Sequence, residues 1–374
     1  MAISSVAPCR HFQGCHNVPA VETKPQSGHR YPLTAIRGVA ALWVVCHHLT
    51  LFYRFPDLTR FTKAVFLGFT GVDIFFILSG FILATVYVNL TPRAVPAFAL
   101  RRVLRIYPLH LAILSVLAVC TFFNFIWLSD PSAWHTLPFI ALLLQPYFSI
   151  VTWVWNAATW SAGVELSFYL LFPFAVMLLR RFSADALMLL ALAAAYHEWQ
   201  VQAVDCGTFT GLPSFIRGLS GAMLGLILGL LATKFRLPRA AAFAGELAAA
   251  GAIAWACYSY NIQLVVLAAG GLIWMLDHEA GPVSWALSTR VPVFLGRVSY
   301  SIYLLHLPLN DAMQHFWPLY GHPPLTADFI VREIIFFALL LTLANFTYHF
   351  IENPARKLWR ATRKPAATSQ VVLT

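Results

Sequence analysis

Residues 31–50 read YPLTAIRGVAALWVVCHHLT, and the fold turns on them. A run of about twenty mostly apolar residues is the length of a helix that crosses the hydrocarbon of a bilayer. A helix meets that need because it satisfies every backbone N–H and C=O within itself. The pattern recurs along the chain. Spans fall near 33–53, 66–89, 106–128, 159–180, 184–200, 213–232, 240–258, 260–276, 291–313 and 327–351. A shorter apolar run near 137–149 is interrupted by Pro138 and Pro146 and reads as a re-entrant or interfacial segment.

Composition agrees. Hydrophobic residues make up 59% of the 374 and charged residues 11%, against about 25% charged in an ordinary soluble domain. The mean hydropathy of +0.71 leaves no room for a large soluble domain. The expected fold is therefore all-α, a polytopic transmembrane bundle of about ten spans whose partner is the lipid bilayer. Residues 1–31 form a disordered N-terminal tail in this reading, 32–358 the membrane domain, and 359–374 a C-terminal tail.

The net charge of +10 comes from 25 Lys and Arg against 15 Asp and Glu. Cytoplasmic loops rich in Lys and Arg account for it without nucleic acid. With ten spans and the N-terminus inside, the inside segments hold Arg101, Arg102 and Arg105, then Arg180 and Arg181, then Lys234, Arg236 and Arg239, then Arg290, then Arg356 to Lys364. Outside loops hold little beyond Arg54, Arg60 and Lys63. Making 137–149 a full span would invert this asymmetry. Both termini are thus expected in the cytoplasm, and the first thirty residues lack the apolar core of a secretory signal.

Cys46, Cys120 and Cys257 lie in apolar runs, which argues against a disulfide framework. Cys9, His11, Cys15 and His16 match no standard zinc spacing, and no metal site is expected. The sequence also holds no Walker loop, dinucleotide fingerprint or metalloprotease helix.

Ionisable residues inside spans are costly and mark function by default. They are Arg37, His47, His48, Asp73, Glu165, Arg217, Arg297 and His306. Arg37 and His48 are eleven residues apart, about three turns plus 20°, so they share one face about 16 Å apart along the axis. Histidine is the usual general base, although an arginine snorkelling to headgroups and a histidine at a span end would look the same. Arg101, Arg102 and Arg105 share a face at the inner edge. Their guanidinium forks suit phosphate, while plain inside-positive topology explains most such clusters. Ser161, Glu165 and Tyr169 recur at four-residue spacing as one polar stripe, which should face a cavity or the bundle interior. Glu165 needs a cation partner, either His48 or an arginine. Asp73 reads as a helix-start residue or a site residue. Ser79 and Gly80 permit close helix packing, and His306 is a satisfied core group or a cavity residue.

Six segments in order, AIRGVAALWVVCHH, GVDIFFILSGFIL, RRVLRIYP, TWSAGVELSFYLLFP, GRVSYSIYLLH and FIENPARK, resemble the acyltransferase-3 family of membrane acyltransferases over residues 33 to about 358. The resemblance implies transfer of an acyl group, usually acetyl, from cytoplasmic acyl-CoA to an outer-side acceptor. That acceptor is often a hydroxyl of an exported polysaccharide or lipid-linked glycan. The family's Arg-to-His pattern falls on Arg37 and His48, its Arg-x-x-Arg pattern on Arg102 and Arg105, and its Trp-Ser-Glu segment on Trp160, Ser161 and Glu165. Thr34-Ala35-Ile36 stands where many members resemble Asp-Gly-Leu. No further hydrolase-like domain is read in the chain, so the chemistry is expected in the membrane domain.

On this resemblance His48 and Glu165 are the catalytic pair, with Glu165 orienting or charging the histidine. Arg37, Arg102, Arg105 and Ser161 bind substrate on the same ground, and Tyr169, Asp73 and His306 join them as polar groups placed inside spans. No cofactor is permanently bound; acyl-CoA is a donor substrate. The implied setting is a bacterial inner membrane, in association with polysaccharide synthesis or export machinery. The rival readings are a transporter or flippase for a glycan or small molecule, acylation of a peptidoglycan sugar, a sterol-like lipid or a macrolide, and a structural subunit of a polysaccharide synthase.

Overall fold

The structure, a computed structural model, describes residues 30–52, 60–123, 131–148, 155–204, 211–319 and 326–361. The Cys9–His16 cluster, Arg54 and the C-terminal tail from 362 lie outside the described residues. Every regular element among the described residues is helical.

Seven helical stretches are long and apolar enough to cross a membrane. The first is α1 (Tyr31–Phe52). In the second, α2 (Arg60–Phe66) runs through a 3-10 turn into α3 (Gly71–Tyr87). Next come α4 (Val95–Phe122), α6 (Thr159–Leu179), α8 (Gly211–Lys234) and α9 (Arg239–Ser259). The last is α13 (Ala327–Thr347), which continues through a five-residue π-turn into α14 (Asn353–Ala361). The chain is an integral membrane protein on this ground.

These seven coincide with seven of the ten expected spans. The other three are also helices: α7 (Ala184–Val204), α10 (Ile262–Leu276) and α12 (Arg290–Phe316). α10 is apolar but has 15 residues. α7 and α12 interrupt their apolar faces with residues such as Glu198, Gln202, Asn310 and Asp311.

Burial separates centre from periphery. In α3 and α8, 72% of the apolar stretch is buried, against 17% in α9, whose remaining side chains suit lipid. Without a hydrophobic force between helices in lipid, close packing of small residues drives association. Gly221, Gly225 and Gly229 recur every four residues on α8 and bring it against α3. A Cβ on Gly225 would overlap the Ile77 carbonyl, and one on Gly80 the Ala222 carbonyl. Likewise α1 meets α12 where Gly38 faces Gly296, and a Cβ on Gly296 would enter the Thr34 carbonyl. These two close contacts bring the polar faces of α1, α3 and α12 together, with α6 beside them.

The run near 137–149 does not cross the bundle. It is broken into α5 (Leu137–Ala141) and a 3-10 turn at Gln145–Tyr147, with Leu143 in the left-handed region at φ 58°. Buried Gln145 donates from Nε2 to Thr159 Oγ1 at 2.8 Å at the start of α6. Irregular backbone is tolerated in a membrane domain when it is buried in protein in this way.

Candidate active site

α1, α3, α6 and α12 line a cavity. Val72, Phe75, Phe76 and Ala162 form its apolar wall. Arg37, Ser79, Ser161, Glu165, Ser299, Tyr300 and Tyr303 supply polar atoms. An apolar pocket with a few convergent polar groups is the usual form of a small-molecule site.

Glu165 sits at the polar end. One of its oxygens accepts from Ser79 Oγ at 2.7 Å and from the Tyr169 hydroxyl one turn on. The Ser161–Glu165–Tyr169 stripe therefore faces inward, as its spacing predicts. The charges of Arg105 and Arg37, rather than that of His48, act on Glu165. Arg102 lies among the rings of Tyr87, Phe98 and Tyr169, each 5.3–5.4 Å from its guanidinium carbon, and donates to the Tyr87 hydroxyl at 3.0 Å. Tyr300, beside Arg105, donates to the Ile106 carbonyl at 2.8 Å and ties α12 to α4. The Nε atoms of Arg37 and Arg102 are buried with no hydrogen-bond partner among the described residues. Unfilled guanidinium donors at one end of a bundle can take an anion.

At the other end His48 pairs with His306. His48 Nδ1 lies 2.9 Å from the Val44 carbonyl and 3.3 Å from His306 Nε2. His306 Nδ1 lies 2.6 Å from the Tyr303 carbonyl. A carbonyl only accepts, so both Nδ1 atoms carry protons. Neutral His306 then presents an Nε2 lone pair to His48 Nδ1–H, and neutral His48 keeps its own Nε2 unprotonated. That nitrogen can take a proton, while the Nδ1–H stays with the Val44 carbonyl and His306 Nε2.

The expectation that Glu165 orients His48 needs correction. Three turns of α1 separate the Arg37 end from the His48 end, and His306 occupies the orienting position. Arg37 and Glu165 line the cavity, whereas neither His48 nor His306 is among its lining residues. Tyr303 joins the two regions. Its ring lines the cavity, its hydroxyl accepts from Ser161 Oγ at 2.8 Å, and its carbonyl holds His306. Sequence reading missed Tyr303, although Ser299, Tyr303 and His306 at steps of four and three mark one face of α12.

Asp73 is placed elsewhere. Its two oxygens receive Arg217 Nε at 2.8 Å and Nη2 at 2.6 Å, and both side chains are 1% exposed. This forked pair bolts α3 to α8. Asp73 caps no helix start, because α3 continues from the preceding 3-10 turn with its N-cap residue already helical. His47 packs edge-on against Phe66 and Phe69. Arg297 points out of the bundle and is exposed. Glu198 on α7, which the sequence reading passed over, is fully buried and accepts from Gln202 Nε2 at 2.9 Å.

Residues 30–349 match the sequence profile of a family described as an acyltransferase domain. The chain belongs to the acyltransferase-3 family. This acyltransferase-3 chain is 26% identical to the acyltransferase MdmB of Streptomyces mycarofaciens, over 90% of this chain and 94% of that one. It is 24% identical to a putative O-acetyltransferase of Staphylococcus aureus strain MRSA252, over 91% of this chain and 60% of that one. Against the O-acetyltransferase OatA of Staphylococcus aureus strain NCTC 8325 the identity is also 24%, over 87% and 57%. The chain thus spans nearly all of the Streptomyces relative and less than two thirds of the staphylococcal ones. No solved structure matches it. Transfer of an acyl group is the activity that the family's description names.

Proposed function

We propose that the chain is a membrane-embedded O-acyltransferase. It moves an acyl group, acetyl by preference, from cytoplasmic acyl-CoA to a hydroxyl of an exported carbohydrate. In this reading it has ten spans, both termini in the cytoplasm, and works in a bacterial inner membrane beside the machinery that makes or exports the glycan. The names of the staphylococcal relatives support O-acetyl transfer.

The observation that carries the reading is the His48–His306 pair, in which the Nδ1–H of His48 is held by the Val44 carbonyl and His306 Nε2 and its own Nε2 is left unprotonated. The arginines of the inner end hold the donor phosphates. The thioester arm runs through the cavity past Glu165 and Tyr303 toward the His48 end. His48 Nε2 takes the proton of the acceptor hydroxyl as its oxygen attacks the thioester carbonyl carbon. The C–O bond forms, the C–S bond breaks, and the proton passes to the departing thiolate to give free CoA thiol. Asp73 serves this site by holding α3 rather than by touching substrate.

The test is free-thiol release from acetyl-CoA by protein purified into lipid, with extracted cell-envelope glycan as acceptor. A general base contributes about 10²–10⁴-fold, so His48→Ala should express normally and lose nearly all glycan-dependent release. Folded wild-type protein that releases no thiol with any acyl-CoA and any glycan would favour transport of a glycan or small molecule instead.

A further inference from the structure

The FIENPARK motif has no role in the reaction as described so far, yet the structure gives it an unusual backbone. Helix α13 ends in a π-turn, Tyr348–Glu352, in which the Asn353 N–H reaches back five residues to the Tyr348 carbonyl. Pro354 follows and has no N–H, so the ordinary helical ladder is interrupted at this point. π-turns inside helices are rare and gather at functional sites.

The turn rotates Glu352 inward. Glu352 is 1% exposed. One oxygen accepts from Ser301 Oγ of α12, and the other from Arg356 Nη2 at 2.7 Å. Arg356 is thereby held beside the Tyr348 ring, half-buried, where its charge acts on both Arg105 and Arg37. α14 and the π-turn both pack on α4, the helix that carries Arg102 and Arg105.

Arg37, Arg102, Arg105 and Arg356, with Arg101 beside the Tyr87 ring, gather positive charge at one end of the bundle in excess of the carboxylates of Glu165 and Glu352. Arg356 Nε, like the Nε of Arg37 and of Arg102, is buried with no hydrogen-bond partner among the described residues. Like charges gathered away from water repel one another unless an anion sits among them. A dianion such as a phosphomonoester supplies negative charge and acceptor oxygens together.

We propose that Arg356, positioned by the π-turn and Glu352, is a phosphate-binding residue of the donor site, acting with Arg37 and Arg105 on the phosphomonoester of the acyl-CoA. This rests on acyl-CoA being the donor. A phosphate of the same chemistry is also carried by lipid headgroups, and the experiment separates the two sources.

Full-length wild type, Arg356→Gln and Arg356→Lys are compared in nanodiscs of phosphatidylcholine and of phosphatidylglycerol. The KM is measured for acetyl-CoA and for its dephosphorylated analogue lacking the phosphomonoester, with CoA binding and thermal melting recorded beside it. Wild type should favour acetyl-CoA over the analogue. Arg356→Gln should raise the KM for acetyl-CoA about tenfold, the size of one lost charge-assisted contact, with a smaller change in kcat, and should abolish the preference between donors. Arg356→Lys, which keeps the charge, should restore part of it. Equal KM values for wild type and Arg356→Gln with both donors would overturn the assignment alone. So would a melting loss without any change in donor preference, or an effect confined to phosphatidylglycerol, which would mark a lipid site. Wild-type protein that binds no CoA would remove the donor reading and this assignment with it.

Discussion

Replacing Asp73 by Asn separates scaffold from substrate contact at a residue whose position allowed either. The carboxylate receives two guanidinium N–H groups at 2.8 and 2.6 Å, with both side chains 1% exposed. At an effective dielectric of 20, unit charges about 4 Å apart attract by about 4 kcal/mol. Removing one partner of a buried pair costs about 3–5 kcal/mol, because the other charge is left uncompensated. The carbonyl oxygen of Asn can accept from one N–H of Arg217 but cannot neutralise it. Asp73→Asn should therefore destabilise the protein by about 3–5 kcal/mol, read by equilibrium unfolding in mixed micelles of mild detergent and SDS. Neutralising both partners, Asp73→Asn with Arg217→Gln, should recover part of that loss, since Arg217 no longer leaves a bare cation in the core. An Asp73→Asn protein as stable as wild type but inactive would refute the reasoning and return Asp73 to the substrate site.

Two further outcomes follow from contacts already described. Gly225→Val should abolish accumulation of folded protein, because its Cβ would overlap the Ile77 carbonyl where α8 meets α3, whereas Gly251→Ala on α9, with open space at its Cβ, should leave accumulation unchanged; detergent gel filtration distinguishes them. His306→Phe removes one of the two acceptors at His48 Nδ1–H, leaving the Val44 carbonyl, and should lower kcat roughly 10–100-fold with little change in KM, while His306→Gln, whose amide oxygen can still accept, should restore part of it; a His306→Phe enzyme with wild-type kcat would exclude His306 as the group that positions His48.

The membrane helices were legible because hydropathy is a local property: twenty consecutive residues state their own burial without reference to the rest of the chain. The Ser161–Glu165–Tyr169 stripe was legible for the same reason, since helical spacing alone puts the three on one face, and the Glu165–Tyr169 bond lies within that stripe. Gly80 was read as a packing residue, and α3 meets α8 there. The glycine repeat of α8 went unread, though its four-residue step is plain in the sequence. The broken segment near 137–149 was set apart from the spans by its two prolines.

Partner choice was not legible. His48 finds His306 across 258 residues of sequence, and Asp73 finds Arg217 across 144. Spacing on one helix says which way a side chain points, but not which helix stands opposite. Hence Glu165 was assigned to orient His48, when its neighbours are Ser79, Tyr169 and two arginines, and Arg297 was counted among buried groups although it points outward. The sequence by itself determined that this chain is a bundle of membrane helices with costly polar groups inside, because transfer from water to hydrocarbon is decided residue by residue. Only the tertiary structure decided which of those groups meet, because charge pairing and tautomer depend on distances of a few ångströms between helices whose approach is set by the glycines at their crossings.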